Sequence, residues 1–172
     1  MKGLKIRKAT REDVLNLSVL KKQVFISTYA LNGINKDFSS HITKAFSENE
    51  ILNNIEDPEK IVLLAEKHGF LIGCAEIGIN STCKETNNSS PELMVLYVFE
   101  HVKGQGVGYS LITDSERIAK EMKFPGLWLT VYHKNNEAIK FYLRQSYRDI
   151  GKWDFEMEGK SYENRIMYKH FT

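Results

Sequence analysis

Cysteine, proline and long apolar runs are all scarce in this sequence, and each shortage excludes something. Only Cys74 and Cys83 occur, without CxxC spacing. That argues against a disulfide framework or a thiolate zinc site and fits a reducing cytoplasm. No metal site is expected. The three prolines form no proline-rich segment, and there is no internal repeat. The longest unbroken apolar run, Leu93 to Phe99, falls far short of the roughly 20 residues of a membrane-spanning helix. Met1 to Lys8 carries charge with no apolar stretch behind it, so neither a secretory signal nor a membrane partner is expected. An excess of one charge is missing too. Lys and Arg number 24 against 22 Asp and Glu, a formal +2, and nucleic-acid binding wants a strongly basic face.

With 42% apolar and 27% charged residues in a chain of 172, the composition is that of a soluble globular protein. This length buries one full core but not two comfortable ones, so residues 1–172 are expected to form a single domain.

Leu4 to Lys8 alternates apolar and basic residues, which predicts a short strand. Thr10 begins a near capping box, and the spacing of Val14, Leu17, Val24 and Phe25 predicts a helix to about Tyr29. A second helix is expected from about Ser40 to Asn54. Ile61 to Ala65 and Phe70 to Ile77, around His68-Gly69, read as a hairpin. Ser81 to Ser90 is polar and reads as a loop. Leu93 to Val98 is expected to be a buried strand by its apolar continuity. A helix from Gly108 to Lys123, a strand from Leu127 to Val131 and a helix from Asn135 to Arg144 follow. Two last strands are expected near Tyr147 to Met157 and Tyr162 to Lys169. The order β-α-α-β-β-β-α-β-α-β-β is a mixed α/β (α+β) architecture.

The most informative stretch is Lys103-Gly104-Gln105-Gly106-Val107-Gly108. It follows a strand and opens a helix, so its backbone N–H groups converge at the positive helix end, a site suited to phosphate or pyrophosphate. Glycine permits the positive φ values and the close approach of ligand oxygens. The spacing fits neither a Walker loop, GxxxxGK followed by Ser or Thr, nor a Rossmann GxGxxG. A second signal lies downstream. Asn135 or Asn136 suits a helix cap, and Tyr142, seven residues past Asn135, returns to the same face after about two turns. Ala138 on that side is small enough for a ligand to lie close. A phenol with a pKa of about 10 can protonate a thiolate of similar basicity. The competing readings are a glycine turn that merely caps a helix, and a tyrosine that is a core aromatic.

Together these segments resemble the GNAT superfamily of acetyl-CoA-dependent N-acetyltransferases. Lys103 to Gly108 matches its Q/R-x-x-G-x-G/A signature with lysine first, and Asn135, Ala138 and Tyr142 match its N-x-x-A pattern followed by Tyr. Three departures stand out: Lys103 itself, Ser146-Tyr147 in place of Gly-Phe, and Met94 where relatives often carry Glu. The resemblance implies a central mixed, mostly antiparallel sheet flanked by helices, with acetyl-CoA as co-substrate. It implies that the loop amides, through Tyr109 at the helix start, bind the CoA pyrophosphate. The backbone of Leu96, Tyr97 and Val98 would pair with the pantetheine arm, Asn135 would contact that arm, and Tyr142 would be the general acid at the sulfur. A homodimer paired through edge strands is compatible with it.

An amine with a pKa of about 10.4 is protonated at neutral pH, so direct attack on the thioester needs a base. Glu76 is the first candidate, in an apolar run that would turn its carboxylate toward solvent or a cleft; Glu92 and His133 follow. Cys74 and Cys83 lack an adjacent His, which disfavours a covalent cysteine route. By the resemblance, the first two helices and the last hairpin build the acceptor side. There Glu48, Glu50, Glu56, Asp57, Glu59, Asp154, Glu156, Glu158 and Glu163 would attract a cationic amine. The pattern looks most like bacterial spermidine/spermine acetyltransferases. An aminoglycoside acetyltransferase, and with it antibiotic resistance, presents much the same features. A protein or peptide N-acetyltransferase and a non-catalytic acetyl-CoA sensor are the alternatives.

Overall fold

The computed structural model describes residues 3–30, 32–83, 85, 88–157 and 160–171. In chain order these form β1 (Leu4–Lys8), α1 (Val14–Tyr29), α2 (Lys36–Ala45), α3 (Glu48–Glu56), β2 (Lys60–Lys67) and β3 (Phe70–Gly78). Two short strands, β4 (Thr82–Cys83) and β5 (Asn88–Ser89), precede β6 (Glu92–Val98), α4 (Val107–Glu121), β7 (Gly126–Tyr132), α5 (Asn136–Arg144), β8 (Arg148–Met157) and β9 (Lys160–His170). The main sheet has seven strands in the order β1-β2-β3-β6-β7-β9-β8. β1 runs antiparallel to β2, and β9 antiparallel to both β7 and β8, whereas β6 and β7 pair parallel, with Glu92 opposite Trp128. This is the mixed, mostly antiparallel sheet with helices that the family resemblance implies.

The chain divides into two compact units, Met1–Ile77 with Val95–Ser115, and Gly78–Met94 with Glu116–Thr172. In the first, α1 buries Leu17, Leu20 and Val24 against Ile51 of α3, Val62 and Leu64 of β2 and Cys74 of β3. Arg7 of β1 reaches both Asp13 and Glu66 at 2.6–2.7 Å and holds the start of the chain to the helix that follows. In the second, Cys83, Trp128, Ile166 and Tyr168 form a core flanked by Ile150 and Trp153. β8 carries a register irregularity between Asp149 and Gly151.

Three expectations change. The single helix expected over Ser40 to Asn54 is two helices, because Ser47 caps α3 by accepting from the Glu50 amide at 3.3 Å, and a filled cap starts a helix rather than continuing one. Leu93 to Val98 is a strand but not a buried one. Only Leu93 is buried, Met94 is 47% exposed, and Val95 to Val98 are half-buried; apolar continuity reports side-chain type, not the cover above it. The polar stretch Ser81 to Ser90 contains the β4–β5 pair, and Cys83 within it is fully buried.

Candidate active site

The glycine loop sits between a 3-10 turn over Glu100–Val102 and α4. Gly104 has φ +74° and Gly106 φ +83°, a region that an L side chain enters only at a steric cost. Gly106 immediately precedes α4 and has no side chain with which to occupy the first-turn amides. Asn35, Ser47 and Asn135 cap α2, α3 and α5 with their own oxygens, whereas Asp13 before α1 makes no such bond. The first turn of α4 also carries no acidic residue. An exposed helix start with no carboxylate in its first turn is chemically suited to an anion. Around it Lys103 pairs with Glu100 at 2.5 Å, Gln105 donates to the His101 carbonyl at 3.1 Å, Val107 is buried and Tyr109 is exposed. Leu96, Tyr97 and Val98 lie half-buried in β6.

In the second unit, of the two asparagines suited to the cap it is Asn135 that caps α5, accepting from the Ala138 amide at 3.1 Å, which leaves its side-chain NH2 to donate. Tyr142 is buried, two turns further on. The helix then ends in a Schellman turn: the Tyr147 amide donates to the Tyr142 carbonyl at 3.1 Å and the Ser146 amide to Leu143 at 3.0 Å. Ser146 takes the left-handed conformation, φ +67°, that glycine ordinarily supplies. The Tyr147 ring closes the turn edge-on against Tyr142, centroids 5.8 Å apart.

Of the three carboxylate or imidazole base candidates, Glu76 is buried and ion-paired to Lys21 of α1 at 2.6 Å, and Lys21 lies over the Phe46 ring at 5.3 Å. Its carboxylate therefore faces a cation, not solvent. Glu92 is half-buried at the start of β6, and burial raises its pKa against an opposing hydrogen bond from Ser81. His133 lies 3.5 Å from Glu163. Burial pushes the Cys74 thiol up to about 12, which agrees with setting a cysteine nucleophile aside. Several acidic residues assigned to the acceptor side already have partners: Glu56 with Arg11, Asp57 with Lys60, and Glu163 with Lys152. Glu48, Glu50 and Asp154 are exposed, while the side chain of Glu156 and all of Glu158 lie outside the described residues. Among the described residues no cluster of His, Cys, Asp and Glu could hold a metal ion, and no helix is long and apolar enough to cross a membrane.

The sheet order with its helices is that of an acetyltransferase fold. The chain belongs to the Acetyltransferase (GNAT) family, whose family model matches residues 29–147, and it uses acetyl-CoA as co-substrate. Among its relatives is a spermidine N(1)-acetyltransferase of Thermoplasma acidophilum, 26% identical over 94% of this chain and 99% of the relative. An uncharacterized N-acetyltransferase of the pepI 3' region in Lactobacillus delbrueckii subsp. lactis is 21% identical over 83% of each chain. The crystal structure of the PaiA N-acetyltransferase from Thermoplasma acidophilum in complex with coenzyme A superposes with a TM-score of 0.76. It covers 98% of this chain and 99% of that one at 24% identity.

Sequence reasoning missed Lys21, Glu116 and Lys169. Lys21 and Glu76 are separated by 55 positions, and Glu116 and Lys169 by 53. No local pattern announces either pair.

Proposed function

We propose that the acetyl group goes to a primary amine of a small cationic acceptor, a polyamine or an aminoglycoside-type aminosugar. The observation that carries this reading is the likeness along 94% of the chain to a spermidine N(1)-acetyltransferase. The whole chain then acts as one cytoplasmic acetyltransferase domain. The open start of α4 takes the CoA pyrophosphate on the amides of Val107, Gly108 and Tyr109, with Lys103, Gly104, Gln105 and Gly106 shaping the loop. The backbone of Leu96, Tyr97 and Val98 pairs with the pantetheine arm, and Asn135 and Ala138 line it.

The acceptor ammonium first loses a proton. Glu92 suits that step better than Glu76, because burial lifts its carboxyl pKa toward a working range while Glu76 is held by Lys21. The amine nitrogen then attacks the thioester carbonyl carbon, and the C–S bond breaks. The departing thiolate takes the hydroxyl proton of Tyr142 and the acetylated nitrogen gives up its second proton to solvent, leaving the neutral amide, free CoA thiol and a phenolate that solvent reprotonates.

Free-thiol release from acetyl-CoA, measured against spermidine, aminoglycosides and N-terminal peptides, tests this reading. Wild type is expected to release thiol with the small polycationic amines. Tyr142→Phe is expected to lower kcat by about 100-fold with acetyl-CoA affinity unchanged. Release with peptides alone would make the chain a peptide N-acetyltransferase, and tight acetyl-CoA binding with no release would make it a sensor.

A further inference from the structure

Behind Tyr142 lies a polar corner that the reaction outlined above does not use. Tyr147 is 1% exposed, at a position where the sequence departs from its family by carrying a hydroxyl. Lys169 of β9 sits over its ring at 5.7 Å and donates to Glu116 Oε2 of α4 at 2.6 Å. The Tyr147 hydroxyl and Glu116 Oε1 are both buried without a hydrogen-bond partner. An orphan donor and an orphan acceptor in one buried corner are satisfied together by a single O–H···O contact, direct or through one water. Tyr147 in turn grips Tyr142 twice, through its amide at 3.1 Å and its ring edge at 5.8 Å.

We propose that Lys169, Glu116 and Tyr147 form a positioning network that sets the ring of Tyr142 and shields it from a buried negative charge. The proposal rests on the reading of Tyr142 as the proton donor. Glu116 ties Tyr147 to α4, Lys169 neutralises Glu116 from β9, and the Schellman turn passes the constraint to Tyr142. The charged and titratable groups facing Tyr147 are thus Glu116, Lys169 and Tyr142. Burial, the Glu116 carboxylate and the neighbouring Tyr142 all push the Tyr147 phenol well above its ordinary pKa. Tyr147 is thereby held in its protonated form beside Tyr142.

The test compares Tyr147→Phe, Lys169→Met and Lys169→Met/Glu116→Gln with wild type, reading kcat, the KM for acetyl-CoA and the alkaline limb of the kcat–pH profile. Tyr147→Phe keeps the ring and is expected to lower kcat by about three- to tenfold, the worth of one hydrogen bond, with KM unchanged. Lys169→Met leaves the Glu116 charge uncompensated, so the Tyr142 phenol becomes harder to ionise and the alkaline limb moves to higher pH. Adding Glu116→Gln removes that charge and returns the limb. If Lys169→Met fails to fold, Tyr147→Phe carries the test. Wild-type kcat in Tyr147→Phe would overturn the network, as would an unmoved limb in folded Lys169→Met. Wild-type kcat in Tyr142→Phe would instead overturn the proton-donor reading beneath it.

Discussion

Each compact unit contains a close lysine–carboxylate pair, and the two pairs make a controlled comparison. Lys21–Glu76 and Lys169–Glu116 share a 2.6 Å separation. Their surroundings differ. The first pair is sealed, its side chains 3% and 5% exposed, whereas the second is 23% and 12% exposed and leaves Glu116 Oε1 and the Tyr147 hydroxyl unpartnered. A sealed pair has nowhere to send an unbalanced charge, so losing one partner is felt by the whole fold. A leaky pair with spare polar atoms beside a reactive side chain can be adjusted at smaller cost, and its loss is felt first in the chemistry. The same bond length therefore serves stability in one unit and function in the other.

The sharpest break of that comparison is Lys21→Met. It strands the Glu76 carboxylate among apolar side chains and is expected to cost about 3–5 kcal/mol of unfolding free energy. Urea titration reads the loss, and Lys21→Met/Glu76→Gln should recover more than half of it; full stability in the single variant would place the pair near water after all. The half-buried network at Arg7 extends the series outward. Hydrogen bonds from Arg7 hold the Asp13 carboxyl down at about 2. Its contribution of about 2 kcal/mol is present above the ordinary aspartate pKa and is lost as the pH falls through that range toward 2. The urea midpoints of wild type and Asp13→Asn should accordingly differ at about pH 6, draw together below about pH 4 and converge only below about pH 2. The smallest effect belongs to Ser146, a serine in a glycine conformation. Ser146→Gly is expected to stabilise by about 0.5–1 kcal/mol, because relief of the left-handed strain outweighs the added unfolded-state freedom. A thermal melt that shifts downward would contradict this.

Local signals made much of this molecule readable. β1, the β2–β3 hairpin, β7 and the paired strands β8 and β9 fall where alternation and glycine turns predict them. Asn135 caps α5 because an Asn before a helical apolar pattern has few better uses. The glycine loop was legible for the same reason, since Gly104 and Gly106 occupy backbone that other residues avoid. What was hidden is non-local. The partner of Glu76 is 55 residues away, so the apolar run around a glutamate pointed to solvent or a cleft and gave no sign of the lysine. Cys83 reads as a loop residue beside polar neighbours, yet its burial depends on Trp128, Ile166 and Tyr168, far along the chain. Ser47 was legible in principle, because Ser47 and Glu50 have the spacing of a capping box, but the apolar periodicity running through it was the louder signal.

The irregularity between Asp149 and Gly151 has a consequence for the crowded cell. β8 and β1 are the outermost strands of the sheet, and outermost strands offer unpaired backbone groups on which another chain can grow. A bulge twists one such rim out of register, and exposed Arg148, Lys152 and Asp154 punctuate it with charge, while Lys5 and Lys8 do the same on the opposite rim. Both rims are thereby poor templates for runaway strand addition, a safeguard against aggregation written into the parts of the sheet farthest from its centre.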